Sequence, residues 1–250
     1  MKSFLKCITN KIFNRKETLL YFTPHQDDEL LTMGIDICYS LERGADVHVI
    51  LCTDGSSSSV KKTLSNGEIC EKHQGKHIYN LSEEEFIKAR DYEFTNSCIA
   101  MGIKEVNIHI PDIRAKDGNL TIEQAEDIIK NFLNRYNRNT TICTIYFNTG
   151  EKQHIDHKNI GIAAYNLYEK NIINKVKFFK EPYCNWGITN KPVFVKAKQT
   201  IEEKIKNAIK EYSIWSPKHN RYAIGYHSVP NEINNLRVNM QTEYFIMRKH

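Results

Sequence analysis

The chain has 250 residues, 40% of them hydrophobic, which suits one sizeable α/β domain. Its net charge of +5 comes from interspersed acids and bases, the pattern of a solvated surface; the sharper reading is attraction to an anionic substrate such as a nucleotide-sugar, lipid phosphate or acidic glycan, and the lack of a basic patch interleaved with aromatics argues against nucleic acid. Seven cysteines, an odd number with no Cys-x-x-Cys spacing, argue against a disulfide framework or a structural zinc knot and for a reduced cytosol, and no run of about 18 apolar residues offers a membrane span.

Residues 1–17, "MKSFLKCITNKIFNRKE", place Phe4, Leu5, Ile8, Ile12 and Phe13 at helical spacing with lysines between them. They lack the apolar core and cleavage site of a signal peptide. A short basic amphipathic helix packed on the domain is expected, with weak membrane-surface association as the alternative. "TLLYFT" (18–23) reads as a buried strand, residues 29–45 as a helix closed by Gly44, and "DVHVILCT" (46–53) as a second strand. Residues 54–80 read as a long polar loop, of a length that in a compact domain is functional or disordered. Ser82 and Glu85 carry a capping-box signature before a helix over 82–103. "KEVNIHI" (104–110) reads as a third strand, a helix follows from about Thr121, and "TTICTIYFN" (140–148) reads as a fourth strand. Residues 154–171 and 200–212 are expected to be helical, with further strands over 175–182 and 192–198, and the tail after Pro217 is expected to be irregular. Alternating strands and helices indicate a mostly parallel sheet with helices on both faces.

In such a sheet, ligands bind beyond the carboxyl ends of the strands. Three polar clusters fall there: His25-x-Asp27-Asp28, Thr53-Asp54-Gly55 and His154-x-Asp156-His157. His25 and Asp28 are three residues apart, as are His154 and His157, which start a helix and so face the same way. Imidazole and carboxylate donors suit Zn²⁺, or another divalent metal such as Fe²⁺ or Co²⁺. Three protein ligands describe a catalytic metal site, and four a structural one. A carboxylate beside the metal can carry a proton and a histidine can stabilise an oxyanion, so the chemistry indicated is metal-assisted hydrolysis of an amide or ester. The plainer reading takes Asp27, Asp28 and Glu29 as helix capping and dipole compensation. It suffices for one cluster alone, but two at strand ends of one α/β pattern favour a metal site. His73 and His77, four apart in the polar loop, touch substrate or solvent on this reading. His48 and His109 are structural, and His219 and His227 fall in the tail, where either can face the site.

The ordered set "PHQDDE", "CTDG", "KARDYEFTNSCIAMGI" and "HIDH" resembles the LmbE-like N-deacetylase superfamily. That superfamily includes the N-acetylglucosaminyl-phosphatidylinositol de-N-acetylases and deacetylases of thiol-cofactor biosynthesis. The resemblance runs over about residues 18–170, with a weaker echo in 204–217. It implies a Rossmann-like three-layer sandwich and a zinc-dependent hydrolase that removes an acetyl group from an N-acetylglucosamine-type amino sugar. Carried over by position, His25, Asp28 and His157 hold the metal, and Asp27 is the general base and then the general acid. His154 stabilises the oxyanion, with Asp156 orienting it and keeping it protonated. Arg90 lies near the sugar-binding end, Asp54 contacts a sugar hydroxyl at the mouth, and Glu93 is a structural partner. Gln26 and Ile155 stand where the family usually has proline, and Gln26 is expected to add a substrate contact of its own. Residues 148–153, less like the common pattern, are expected to line the pocket.

The whole chain is read as one cytoplasmic deacetylase domain, with residues 1–17 as an extension and 172–250 completing the sheet and the substrate pocket. The expected partner is an N-acetylated sugar or glycoconjugate. The alternatives are hydrolysis of another acylated substrate, or glycan binding without catalysis, against which the intact Asp27 and His154 speak.

Overall fold

The computed structural model describes residues 16–136, 140–148, 153–182 and 191–249. The helix expected over 1–17 therefore lies outside the described residues but for its last two positions. The chain runs through β1 (Thr18–Thr23), α1 (Asp28–Leu31), α2 (Gly34–Glu42), β2 (Asp46–Leu51), α3 (Val60–Asn66), β3 (Glu68–Cys70), β4 (Gly75–His77), α4 (Glu83–Met101) and β5 (Ile108–His109). It continues through α5 (Ile122–Leu133), β6 (Thr140–Ile145), α6 (Ile155–Glu169), β7 (Lys175–Phe179), β8 (Val193–Lys196) and α7 (Gln199–Glu211). The last part comprises β9 (Trp215–Ser216), β10 (Arg221–Tyr222), α8 (Ile224–Ser228), α9 (Pro230–Val238) and β11 (Gln241–Arg248).

Seven strands form the main sheet in the order β5-β2-β1-β6-β7-β11-β8. The first five are parallel, while β11 runs antiparallel to both β7 and β8. Successive side chains of a strand point to opposite faces. In β1, Leu19 and Tyr21 enter one apolar cluster and Leu20 and Phe22 the other. Both faces are covered, which is why β1 reads as a continuous apolar run rather than an alternation. One face is packed by α2, α4 and α7 through Ile37, Phe94, Met101 and Ile205. The opposite face is packed by α5 and α6 through Ile129, Phe132, Ala163 and Leu167. The result is the expected three-layer α/β sandwich.

The strand order places a ligand crevice. From β1 the chain builds outward to β2 and β5, then returns to the other side of β1 with β6 and β7. The connections leaving β1 and β6 diverge, and the gap between their carboxyl ends is where doubly wound sheets bind ligands. The two histidine clusters follow these two strands.

Several expectations need correction. The helix over 29–45 is two helices, α1 and α2, separated at Thr32 and Met33. The strand over 104–110 shrinks to Ile108–His109 after a 3₁₀ turn at Glu105–Asn107. Val106 is 80% exposed there, so no buried face holds a longer strand in place. Residues 54–80 contain α3 and a β3–β4 hairpin instead of a structureless loop. The tail is ordered into α8, α9 and the eight-residue β11, which is bonded to strands on both sides.

Glu93 ties α4 to that tail. Fully buried, its carboxylate accepts the backbone N–H groups of Ile224 and Gly225 at 2.9 Å each. Glu93→Ala strands these buried donors and is expected to lower unfolding stability by about 1–3 kcal/mol in urea titration. A loss below a few tenths would show that water replaces the carboxylate freely.

Candidate active site

His25 leaves the end of β1, and Asp27 and Asp28 lie at the junction with α1. His154 is the N-cap of α6 and His157 sits in its first turn. Strand order thus joins residues about 130 positions apart in sequence. His25 Nδ1 lies 3.0 Å from His157 Nε2 and 3.4 Å from Asp28 Oδ2, and His157 Nε2 lies 3.1 Å from the same Asp28 oxygen. For metal bonds of about 2.0–2.1 Å, the edges of a tetrahedron are about 3.3 Å, so these three atoms are spaced as one tetrahedral face.

The far side of each ring supports the same reading. His25 Nε2 is 3.1 Å from Asp156 Oδ2 and 3.2 Å from Asp117 Oδ1, and His157 Nδ1 is 2.5 Å from Glu181 Oε1. A carboxylate on the outer nitrogen fixes the orientation of a metal-binding histidine and raises its basicity. Gln153 in turn donates its amide to Glu181 at 2.7 Å. The electrostatics follow from this ring of acids. Burial disfavours charge on His25 and on His157, yet the carboxylates overcome it, holding His25 well above the usual histidine range and raising His157 to about 9. Burial also works against the Asp28 carboxylate, but the two imidazoles prevail and keep it well below the usual range. The field thus draws positive charge to the point where the three donor atoms meet, and the donor set fits a divalent metal.

Asp27 stands beside this set with an unusual backbone, at φ 124°. Few non-glycine residues occupy that region, and strain of this kind persists only where the surroundings over-determine it. Here the Asp27 N–H donates to Glu29 Oε2 at 3.0 Å, and Arg90 donates to the Gln26 carbonyl at 3.0 Å. Glu29 is itself completely buried, and its other oxygen accepts from Ser97 at 2.8 Å and Tyr212 at 2.7 Å. It therefore holds the loop in place rather than merely capping a helix. Burial and the neighbouring Asp28 charge push Asp27 up to about 7, against the pull of Arg90, whose Nη2 is 3.6 Å away.

His154 is 44% exposed at the side chain and borders the cleft. Its Nδ1 accepts the Asp156 N–H at 3.3 Å, which leaves Nε2–H as the donor, 3.9 Å from Asp117 Oδ1. Burial and the positive charge of His25 and His157 lower its pKa. Asp156, assigned to His154 by the resemblance, is 3.9 Å from it and makes its shortest side-chain contact with His25. It also accepts the backbone N–H groups of Gly118 at 2.7 Å and Leu120 at 3.0 Å.

These groups border a cleft of about 430 Å³, a size that holds a sugar ring. Arg90 reaches the cleft wall, but it is only 3% exposed and its guanidinium is taken up by Gly55, Gln26 and Asp27. Asp54 and Gln26 do not border this cleft. Asp54 accepts the N–H groups of Ser56 at 2.9 Å and Asp117 at 3.0 Å. Gln26 donates to Asp91 at 2.8 Å, and Asp91 is paired with both Arg114 nitrogens at 2.8 and 2.7 Å. The side chain standing where the family usually has proline thus braces the turn by hydrogen bonds. Gly55 is required beneath it: at φ +68° a Cβ would sit 2.2 Å from Gln26 Oε1. Sequence reasoning missed Asp117 and Glu181, both on the cleft wall. For Glu181 the signal was its place just after β7, the same strand-end rule that picked out the histidines.

A donor cluster of this kind at the switch point of a three-layer sheet defines a metal-site α/β protein. The family model described as PIG-L, GlcNAc-PI de-N-acetylase, matches residues 20–168, more than half of the chain, and the chain belongs to that family. A 1D-myo-inositol 2-acetamido-2-deoxy-alpha-D-glucopyranoside deacetylase of Mycolicibacterium vanbaalenii is 50% identical over 42 residues, which are 17% of this chain and 15% of that protein. Among solved structures, a triple mutant of a deacetylase of the teicoplanin biosynthetic pathway is similar with a TM-score of 0.67 at 15% identity, covering 93% of this chain and 98% of that one. The N,N'-diacetylchitobiose deacetylase from Pyrococcus horikoshii has a TM-score of 0.61 at 17% identity, covering 99% and 92%. At these identities the likeness is one of fold.

Proposed function

We propose that the protein is a zinc-dependent N-deacetylase acting on an N-acetylglucosamine-type amino sugar. The observation that carries this is the convergence of His25, Asp28 and His157 on one tetrahedral face, beside a buried carboxylate and an imidazole donor. Family membership and the named activities of the relatives support the acetyl-sugar substrate. His25, Asp28 and His157 hold the metal, which when bound makes water nucleophilic near neutral pH and polarises an amide carbonyl.

The chain's own groups do the rest. Asp27 takes a proton from the attacking water as it adds to the acetyl carbonyl, and then delivers that proton to the departing amine. Atoms balance as water plus amide giving acetate and free amine. His154 lines the cleft, and its Nε2–H donates to the oxyanion that develops. Arg90 positions Asp27 rather than the sugar. Among the described residues no helix is long and apolar enough to cross a membrane. All five described cysteines are free and buried, which supports a reducing compartment, and we place the protein in the cytosol.

Chelation is the direct test. Metal-stripped protein is expected to lose acetate release from N-acetylated amino sugars and to regain it on adding Zn²⁺. His157→Ala is expected to lose the same activity without rescue. Turnover that survives stripping, or a phosphoester hydrolysed in place of every acetylated sugar, would overturn the assignment.

A further inference from the structure

A second group of metal-binding side chains lies outside the cleft. The β3–β4 hairpin, in register Glu68 with His77 and Cys70 with Gly75, folds the run Cys70-x-x-His73-x-x-x-His77 onto itself. Cys70, His73 and His77 each offer one ligand atom, and these lie within 4.8 Å of one another. Cys70 Sγ is 3.2 Å from His73 Nδ1, and the His73 and His77 rings stack with centroids 4.9 Å apart. From α8, His227 Nε2 lies 2.7 Å from His77 Nδ1, which leaves Nε2 as the His77 atom able to bind a metal. Cys70 and His77 are each only 2% exposed, and the Trp215 ring lies over His77 at 3.7 Å and 8°.

A hydrogen-bonded polar cluster is the plainer reading, but it leaves a defect. His77 Nε2 is buried without a partner, and buried polar atoms in native folds are rarely left so. Three imidazoles packed together also repel one another when charged. One thiol with imidazoles is a donor set that Zn²⁺ favours. On the outer nitrogen of His227, Glu68 Oε2 stands 3.4 Å away, as the carboxylates stand behind the cleft histidines.

We propose that Cys70, His73 and His77 form a second metal site, which takes Zn²⁺, with His227 holding the His77 ring by its other nitrogen. The site pins the hairpin to α8. Both attached segments reach the cleft: Ser57, Ser58 and Ser59 precede the hairpin, and Ser228 and Val229 follow His227 in its wall. The second metal thus holds the substrate rim in shape and takes no part in the reaction. The inference does not depend on the reaction assigned to the cleft.

Cobalt separates the two sites without an activity assay. Co²⁺ bound to a thiolate gives a sulfur-to-metal charge-transfer band in the near ultraviolet, which the nitrogen and oxygen donors of the cleft cannot produce. The full chain loaded with Co²⁺ is expected to show that band and to bind two equivalents. Cys70→Ser should abolish the band and one equivalent, whereas Asp28→Ala should keep the band and lose the other. His73→Ala, at a partly exposed position, serves if Cys70→Ser does not fold, and should weaken or shift the band. Absence of the band in the unaltered protein, its persistence in Cys70→Ser, or an unchanged band in His73→Ala would overturn the proposal. Loss of the cleft equivalent alone would instead count against the cleft assignment.

Discussion

Asp27→Asn is expected to lower deacetylation of an N-acetylated amino sugar by about 10²- to 10⁴-fold, the usual contribution of a positioned acid-base group. Bound metal should remain at its full level, because Asp27 is not among the three converging donors. Asparagine is the informative replacement. It keeps the volume beside Arg90 and tolerates the positive φ of 124° better than most residues, so the loop geometry should survive. What it loses is the ability to take a proton and return it. A carboxyl pushed up to about 7 by burial and by Asp28 suits both halves of that task, and a cation at the adjacent donors adds a downward pull that keeps the base ionised at neutral pH. Turnover within a few-fold of the unaltered enzyme, with metal content unchanged, would send the proton through another group. Loss of metal in this variant would make Asp27 a ligand instead.

The largest expected stability effect lies on the other side of the sheet from α5 and α6, at Asp36 of α2. Asp36 is 2% exposed, and it accepts Lys177 Nζ at 3.0 and 2.9 Å and the Tyr21 hydroxyl at 2.6 Å. Lys177 comes from β7 and is 5% exposed. Breaking a buried pair by removing one partner leaves an uncompensated charge, at a cost of about 3–5 kcal/mol. Asp36→Ala is therefore expected to lose about that much in urea unfolding. The double variant Asp36→Leu/Lys177→Met should recover most of the loss, because an apolar replacement removes both desolvation penalties. The pH dependence has a definite sign. Burial disfavours the Lys177 ammonium, yet Asp36 prevails and raises its pKa. A cation raised on folding contributes stability that is complete below its unfolded value and fades only as pH climbs through the folded one. The destabilisation by Asp36→Ala should thus be fullest where both forms keep the ammonium and shrink as pH climbs toward and through the lysine range, first as the unpaired, burial-depressed Lys177 of the variant loses its proton and then as the paired one does. A double variant no more stable than the single one would show that packing, not charge, sets the cost.

Much of the fold was legible because it depends on local signals. Buried strands β1, β2 and β6 announce themselves as apolar runs, and the capping boxes at Ser82 and Thr121 mark where α4 and α5 begin. β11 escaped notice because its evidence is non-local. Its partners are Lys175–Phe179 and Val193–Lys196, and only pairing with both makes it a strand. The reading of 54–80 as a polar loop failed for a related reason. Short strands such as β3 and β4 carry too few residues to show a period, and the histidines at 73, 77 and 227 meet only once the hairpin and α8 are packed together. Counting cysteines alone could not expose a donor set built mainly from imidazoles.

For the stretch from His25 to Glu29, the sequence alone determined the chemistry on offer: imidazole and carboxylate groups at a strand end, matched by a second histidine pair at the start of α6. That much follows from side-chain type and from strand and helix period, which are local properties. Tertiary structure alone decided how the acids divide their work. Asp28 faces the two imidazoles, Asp27 is held in a strained turn beside them, and Glu29 is buried against Ser97 and Tyr212 to hold that turn. It also decided that Asp117, Asp156 and Glu181 stand behind the histidines and that Gln26 braces the loop. Those partners lie on separate loops and on the first turn of α6. Burial and electrostatic field, which set proton affinity and orientation, are sums over such neighbours and are written in no single segment of the chain.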